Sequence, residues 1–95
     1  MPPPRVNHRV QVGGRRRSLD LAWPDVKVAV EFDRFVPHST RRVFDDDRAR
    51  QNELVAARWT VFRVTKTMLD ADPAGAFRPV AAVLARNSPD AANGA

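Results

Sequence analysis

Two segments of alternating residues, joined by Pro24-Asp25, constrain the fold of this chain more than any other feature. Leu19, Leu21 and Trp23 alternate with polar or small residues in the first segment, and Val26–Phe32 alternates in the same way. Apolar residues at a period of two, many of them β-branched or aromatic, indicate strands. Pro-Asp is typical of a turn. The sequence therefore predicts a hairpin with one apolar face, which packs on the core.

The opposite face of this hairpin carries acidic residues. With a two-residue turn, Asp20 pairs with Ala29, and Asp20 and Glu31 become diagonal neighbours about 7–8 Å apart between Cα atoms. Asp33 follows on the same face, and the small Ala22 leaves room beside the acids. Carboxylates at this separation can share one hard cation such as Mg²⁺ or Mn²⁺. The alternative is a solvated face, which is ordinary for a half-exposed hairpin.

The net charge of +5 is concentrated in the first half of the chain. Residues 1–42 contain nine Lys or Arg and four Asp or Glu, whereas residues 43–95 contain seven of each. Arg15-Arg16-Arg17 comes directly before the acidic strand, and Arg41-Arg42 follows it after a loop. Arginines beside an acidic pocket suit a protein that grips phosphates while its acids hold a metal. A charged surface that only keeps the protein in solution is the alternative.

The other segments predict an α/β fold with a mixed sheet of about four strands in the order β-β-β-α-β-α. Gly13-Gly14 predicts a hairpin turn after the first strand, Ser39 or Thr40 can cap a helix, and Pro73 suits the start of another. A strand–helix–strand unit implies parallel pairing through a right-handed crossover. The predicted elements are a strand over 6–12, a helix over 41–57, a strand over 60–65 and a helix from 73 to about 86. We expect a flexible N-terminus over 1–5, one domain over 6–86 and a flexible tail over 87–95.

Composition excludes several classes of protein. The chain has 95 residues, enough for one domain with a modest core, and no cysteine, which excludes disulfides and thiolate metal sites. No apolar run approaches the roughly 20 residues of a membrane-spanning helix. The start, Met-Pro-Pro-Pro-Arg, lacks the apolar centre of a signal peptide. We therefore expect a cytoplasmic location and no membrane partner.

Four blocks of residues resemble one group of nucleases. They are Asp20–Asp33, His38 in the following loop, Asp47–Leu54 and Trp59–Thr65. In order and spacing these blocks are similar to the restriction-endonuclease-like (PD-(D/E)XK) superfamily, and within it to small endonuclease domains related to very short patch repair endonucleases. The resemblance implies a restriction-endonuclease-like fold, hydrolysis of DNA phosphodiesters, Mg²⁺ or Mn²⁺ as cofactor and DNA as partner.

The resemblance also implies roles for individual residues. Asp20 and Glu31 correspond to the main metal ligands, with Asp33 beside them. His38 corresponds to a general acid or base near the scissile phosphate, or to a residue that orients water. Asp47 orients that histidine or a metal-bound water. The arginines expected to contact nucleic acid are Arg15, Arg16, Arg17, Arg34, Arg41, Arg42, Arg48, Arg50 and Arg63, the last three of which either contact phosphate or brace the acids.

The chain departs from the pattern of this superfamily at several positions. Asp33 stands where many members have lysine, Arg34 where glycine is usual, and Arg58 where glycine usually precedes the tryptophan. No counterpart of the superfamily's first helix precedes Val6. Two explanations stay open: the chain is a truncated or degenerate relative, or a second copy or another chain covers that side of the sheet. Two alternatives stay open: a relative that binds nucleic acid without cutting it, and an interaction domain of a defence, repair or toxin–antitoxin assembly.

Overall fold

The computed structural model describes residues 1–33 and 40–87, which form one four-stranded sheet with helices on both of its faces. Neighbouring strands are antiparallel except for the last pair, which is parallel, and the sheet order is that of the chain. The α/β class with a four-stranded mixed sheet is therefore confirmed. The elements are β1 (Arg5–Val12), β2 (Arg15–Trp23), β3 (Val28–Asp33), α1 (Arg41–Ala56), β4 (Thr60–Thr65), α2 (Lys66–Ala71) and α3 (Pro73–Asn87). The short helix α2 is absent from the predicted order.

The turn between β1 and β2 lies at the predicted glycines. Gly13 and Gly14 have φ values of 57° and 74°, and Val12 pairs with Arg15 across them. A two-residue turn that matches the right-handed twist of its strands requires positive φ at both central residues. Glycine adopts positive φ without steric cost. Strand β2 therefore begins at Arg15, directly after the turn.

The predicted two-residue turn between β2 and β3 is wrong. Trp23 pairs with Val28 rather than with Val26, so a four-residue loop, Pro24–Lys27, joins the strands. The Val26 amide donates to the Trp23 carbonyl (3.2 Å), and Lys27 leaves the loop with φ of 53°. Because the register moves by two residues, Ala29 pairs with Ala22 and not with Asp20.

The core has one layer on each face of the sheet. The first layer joins Trp23, Val28 and Val30 to Val80 and Leu84 of α3. The second lies under α1 and contains Val12, Leu19, Ala22, Ala29, Leu54 and Trp59. Burying one such leucine contributes about 1.5–3 kcal/mol. Ala22 and Ala29 were expected beside an open acidic pocket, and instead they are fully buried beneath the helix.

Strand β2 changes face at Asp20. Leu19 packs in the layer under α1, whereas Leu21 packs in the layer under α3, so the prediction that both share one face is wrong. Asn7, which lies opposite Asp20, has φ of 50°, and this pair is missing from the β1–β2 ladder. A left-handed residue within a strand interrupts its regular geometry, and the interrupted pair lies where β2 passes from one core layer to the other.

Helix α1 has well-formed ends. The Thr40 hydroxyl accepts a hydrogen bond from the Val43 amide (3.2 Å), as expected of a capping threonine. At the other end, Arg58 has φ of 70°, and the Trp59 amide donates to the Leu54 carbonyl (2.9 Å). This Schellman motif brings Trp59 against Leu54 in the core. In the described part of the chain, no helix is long and apolar enough to cross a membrane.

Candidate functional site: an acid–arginine cluster

Helix α1 lies over the acidic end of β3 because the two elements match in spacing. Residues three or four apart share a helix face, and alternate residues share a strand face. Leu54 packs over Ala29, and Arg50, one helical turn earlier, reaches Glu31. Four helical residues advance about 6 Å and two strand residues about 6.6 Å, so each helix residue meets its strand partner. The face that the sequence predicted to be open is therefore covered here.

Arg50 binds Glu31 with both of its terminal nitrogens. Nη1 donates to Oε2 at 2.8 Å, and Nη2 donates both to Oε1 and to the Ser18 carbonyl, the latter at 2.7 Å. Glu31 is 8% exposed, which makes it the buried charged residue of the described core. The hydrogen bond to Glu31 raises the pKa of Arg50, against the opposing effect of burial, and the charges of Glu31, Asp47 and Asp20 raise it further. Such paired, charge-assisted hydrogen bonds are among the stronger ones in proteins.

Arg63 links the other acids to this pair. It lies next to Glu31 in the parallel β3–β4 register, and its Nη2 binds both oxygens of Asp47 at 3.1 and 3.0 Å. The guanidinium also lies 3.9 Å from Glu31 and 3.9 Å from Asp33. The sequence left two roles open for Arg50 and Arg63, contact with phosphate or bracing of the acids. In the structure, both arginines brace the acids.

Asp20 joins the cluster through the backbone of β3. Its Oδ2 accepts a hydrogen bond from the Phe32 amide at 2.9 Å, beyond the last β2–β3 pair, Leu21 with Val30. The side chain thus continues the ladder where backbone pairing stops. We use the name acid–arginine cluster for Asp20, Glu31, Asp33, Asp47, Arg50 and Arg63. Four carboxylates and two guanidiniums give it a formal charge of −2.

The donor chemistry of the cluster suits a hard divalent cation. Mg²⁺ prefers carboxylate, phosphate and water oxygens, and one such ion balances a charge of −2. The oxygens do not already form a ligand set, because residues 1–33 and 40–87 contain no group of three acidic or histidine side chains arranged to hold a metal. The obstacle is specific: Arg50 occupies both oxygens of Glu31. Glu31 can therefore ligate a metal only after this ion pair opens.

The remaining predicted arginines lie around the cluster in different environments. Arg15, Arg16 and Arg42 are exposed, and Arg17 binds Glu53 of α1 at 3.1 Å. Arg41 lies 3.9 Å from Asp45 on the exposed start of α1. Arg48 stacks over the ring of Phe44, 4.9 Å from its centre. Arg34 and His38 lie outside the described residues.

Sequence reasoning missed one surface of charged and polar residues. Arg9 shares a shallow surface depression with Arg16, Arg17 and Ser18 on the β1–β2 hairpin. The sequence did contain a signal for this surface, because a two-residue turn at Gly13-Gly14 fixes the register and places Arg9 opposite Ser18.

Comparison with protein-family models, curated proteins and solved structures finds no match to this chain. The site is therefore interpreted from its own geometry.

Proposed function

We propose that this domain is a metal-dependent DNA endonuclease with a restriction-endonuclease-like fold. The observation that carries the proposal is the meeting of four carboxylates at one end of β3, in a cluster of charge −2. They come from three separate parts of the chain: Asp20 in β2, Glu31 and Asp33 in β3, and Asp47 in α1. These are the acids to which the family resemblance assigns catalysis. The arginine excess of residues 1–42 supplies a surface for the phosphate backbone.

The roles in this proposal follow from the contacts. Asp20 and Glu31 would hold Mg²⁺ or Mn²⁺, with Asp33 beside them. When bound, such an ion polarises the phosphate, lowers the pKa of a bound water and stabilises the leaving oxygen. Arg63 holds Asp47 and lies against Glu31, so it keeps the carboxylates together.

Arg50 has a second role in the proposal. It releases Glu31 on activation, and its planar guanidinium then serves as a two-pronged donor for phosphate. His38, proposed as general acid or base, belongs to the part of the chain that the structure leaves undescribed.

A second candidate function is nucleic-acid binding without cleavage. The Arg50–Glu31 pair favours it, because a buried carboxylate held by two guanidinium nitrogens needs no metal to balance its charge. In this case the acids stabilise the fold, and the arginines alone bind DNA.

A third candidate is protein interaction within a larger assembly. Val43, Phe44 and Val55 of α1 are more than half exposed, and apolar groups on one element are candidates for contact with a second copy or another chain. Sedimentation of the isolated domain at increasing concentration tests this candidate: association that Val55→Ser abolishes supports it, and a monomer at all concentrations contradicts it.

Plasmid nicking tests the main proposal. Supercoiled DNA is incubated with the protein and Mg²⁺, Mn²⁺ or chelator, and Asp20→Asn and Glu31→Gln are compared with the unchanged chain. Asp25→Asn and Asp46→Asn are matched controls, because both are exposed acids outside the cluster. We expect nicking that needs metal, that the two controls retain and that both cluster variants lose.

The other outcomes separate the candidates. DNA binding without nicking, in variants and unchanged protein alike, supports the second candidate and contradicts the first. Nicking that survives Glu31→Gln contradicts the assignment of the site, even if the protein is a nuclease. Circular dichroism of each variant confirms that a lost activity does not reflect a lost fold.

A further inference from the structure

The β1–β2 hairpin extends beyond the rest of the sheet as a two-stranded ribbon. Among residues 1–33 and 40–87, strand β2 pairs with β3 only from Leu21 to Trp23, whereas its pairing with β1 continues from Leu19 to Arg15. Five residues on each strand, 8–12 and 15–19, therefore form a ribbon about 17 Å long. One face of the ribbon, with Val10 and Val12, packs towards α1 and leaves the other face exposed.

The exposed face carries four side chains with hydrogen-bonding groups. Arg9 pairs with Ser18 and Gln11 pairs with Arg16, so all four project on the same side, and all four are exposed. Residues 5–19 contain five arginines and no acidic residue. Among the described residues, ion pairing therefore leaves this face free for an external anion: Arg17 is the ribbon arginine that binds an acid there, and it points to the α1 side.

We propose that this ribbon enters the major groove of double-stranded DNA and contacts base edges through Arg9, Gln11, Arg16 and Ser18. This inference rests on the proposed function in taking DNA as the partner, although it does not depend on cleavage. The major groove of B-form DNA is about 12 Å wide and admits a two-stranded ribbon, whose strands lie about 4.8 Å apart. Arginine pairs with guanine and glutamine with adenine in that groove, so the face has the side chains that read both purines.

The shape of the ribbon selects duplex DNA among nucleic acids. The major groove of A-form RNA is too deep and narrow for side chains to read, and single strands have no groove. Arg15, beside the turn, lies on the α1 side of the ribbon and is exposed, where it can contact a phosphate. The ribbon therefore separates base-edge contacts on one face from phosphate contacts at its rim.

Binding to a pair of matched duplexes tests the inference. One duplex of 30 base pairs carries ordinary cytosine, and the other carries glucosylated hydroxymethylcytosine, whose sugar fills the major groove. The Arg9→Gln/Arg16→Gln variant is compared with the unchanged protein and with Arg78→Gln/Arg86→Gln, which removes the same charge from exposed positions on α3. The assays include EDTA, so that binding is measured without cleavage.

We expect the unchanged protein to bind the ordinary duplex at least about tenfold more tightly than the filled one. The ribbon variant should lose at least about tenfold in affinity for the ordinary duplex and show no preference between the two duplexes. The α3 variant should retain the preference. Equal binding of the unchanged protein to both duplexes, or tighter binding to duplex RNA, would overturn the ribbon inference while leaving the nuclease proposal standing. Failure to bind any nucleic acid would overturn both.

Discussion

The pair formed by Arg50 and Glu31 gives a quantitative test of the acid–arginine cluster. Arg50→Met removes the charge but keeps an aliphatic chain of similar length, so packing on the sheet is largely retained. Glu31 is then a buried carboxylate whose remaining cation is Arg63, at 3.9 Å. Leaving one member of a buried pair uncompensated costs about 3–5 kcal/mol. A domain of this size has a total stability of about 5–14 kcal/mol, so the loss is a large share of it.

The second single variant of a double-mutant cycle is Glu31→Gln, which keeps the shape of the side chain. Arg50 retains its hydrogen bond to the Ser18 carbonyl, so we expect a smaller loss, about 1–3 kcal/mol. The double variant, Arg50→Met with Glu31→Gln, has neither charge, so no buried carboxylate is left unpaired. Its loss in free energy of unfolding should therefore be smaller than the sum of the two single losses by at least about 1 kcal/mol.

Urea unfolding followed by tryptophan fluorescence measures the stability of each variant, since Trp23 and Trp59 place one fluorescent residue in each core layer. Arg41→Met is the control: its pair with Asp45 lies on the surface, with the Arg41 side chain 94% exposed, so the unfolding midpoint should hardly change. A loss below about 1 kcal/mol for Arg50→Met, or additive losses in the cycle, would refute the argument that Glu31 depends on Arg50.

Two further predictions concern helix α1 and are measured by the same urea unfolding. Arg58→Gly should stabilise the protein by about 0.5–1 kcal/mol, because Arg58 has φ of 70° at the position after the helix where glycine is favoured. An unchanged or lower stability would contradict the strain assigned to this residue. Thr40→Ala should destabilise by about 1 kcal/mol through loss of the bond from the Val43 amide, whereas Thr40→Ser should retain most of the stability. Equal losses in both Thr40 variants would show that the hydroxyl is not the source.

Local sequence signals predicted the elements that depend on local chemistry. Gly13-Gly14 defined its turn, Thr40 capped α1, and strand β4 has the predicted bounds, Thr60–Thr65. Helix α3 begins at Pro73, as predicted, and Asp72 before it accepts a hydrogen bond from the Gly75 amide. At the Gly13-Gly14 turn and at the starts of the two helices, the residue that forms the contact lies within three positions of its partner.

Among predictions that needed contacts between distant segments, the parallel pairing of β3 with β4 was confirmed, but two details of β2 and its loop were wrong. The Pro24–Lys27 loop has two residues more than a tight turn. Its last residue, Lys27, has φ of 53° and accepts a hydrogen bond from the Thr60 amide of β4 (2.9 Å). The change of face at Asp20 lies opposite Asn7, thirteen positions earlier, which has positive φ. Alternation in β2 could not reveal either effect, because both arise from tertiary packing that local propensity does not encode.

At the acid–arginine cluster, too, features that depend on nearby residues were predicted, and features that depend on packing between distant segments were not. The acids of the cluster were identified from sequence, and the guanidiniums that brace them were given as one of two roles. The position of α1 decides that Arg50 braces Glu31 rather than being left exposed to phosphate. Leu54 packs over Ala29, and Arg50, one helical turn earlier, therefore lies over Glu31. The sequence of the β2–β3 hairpin alone does not show that α1 packs over it. The expectation of an open acidic face was therefore wrong.

Manganese titration observed by amide NMR can locate a metal in the acid–arginine cluster without requiring activity. Mn²⁺ broadens the signals of nearby amides, and the Phe32 amide is bonded to Asp20. We expect the Phe32 signal to broaden at the lowest Mn²⁺ concentrations. Glu31→Gln should weaken this response, and Asp46→Asn should leave it unchanged. Broadening confined to the exposed acids at 45–46, or no selective broadening near Phe32, would contradict a metal site in the acid–arginine cluster.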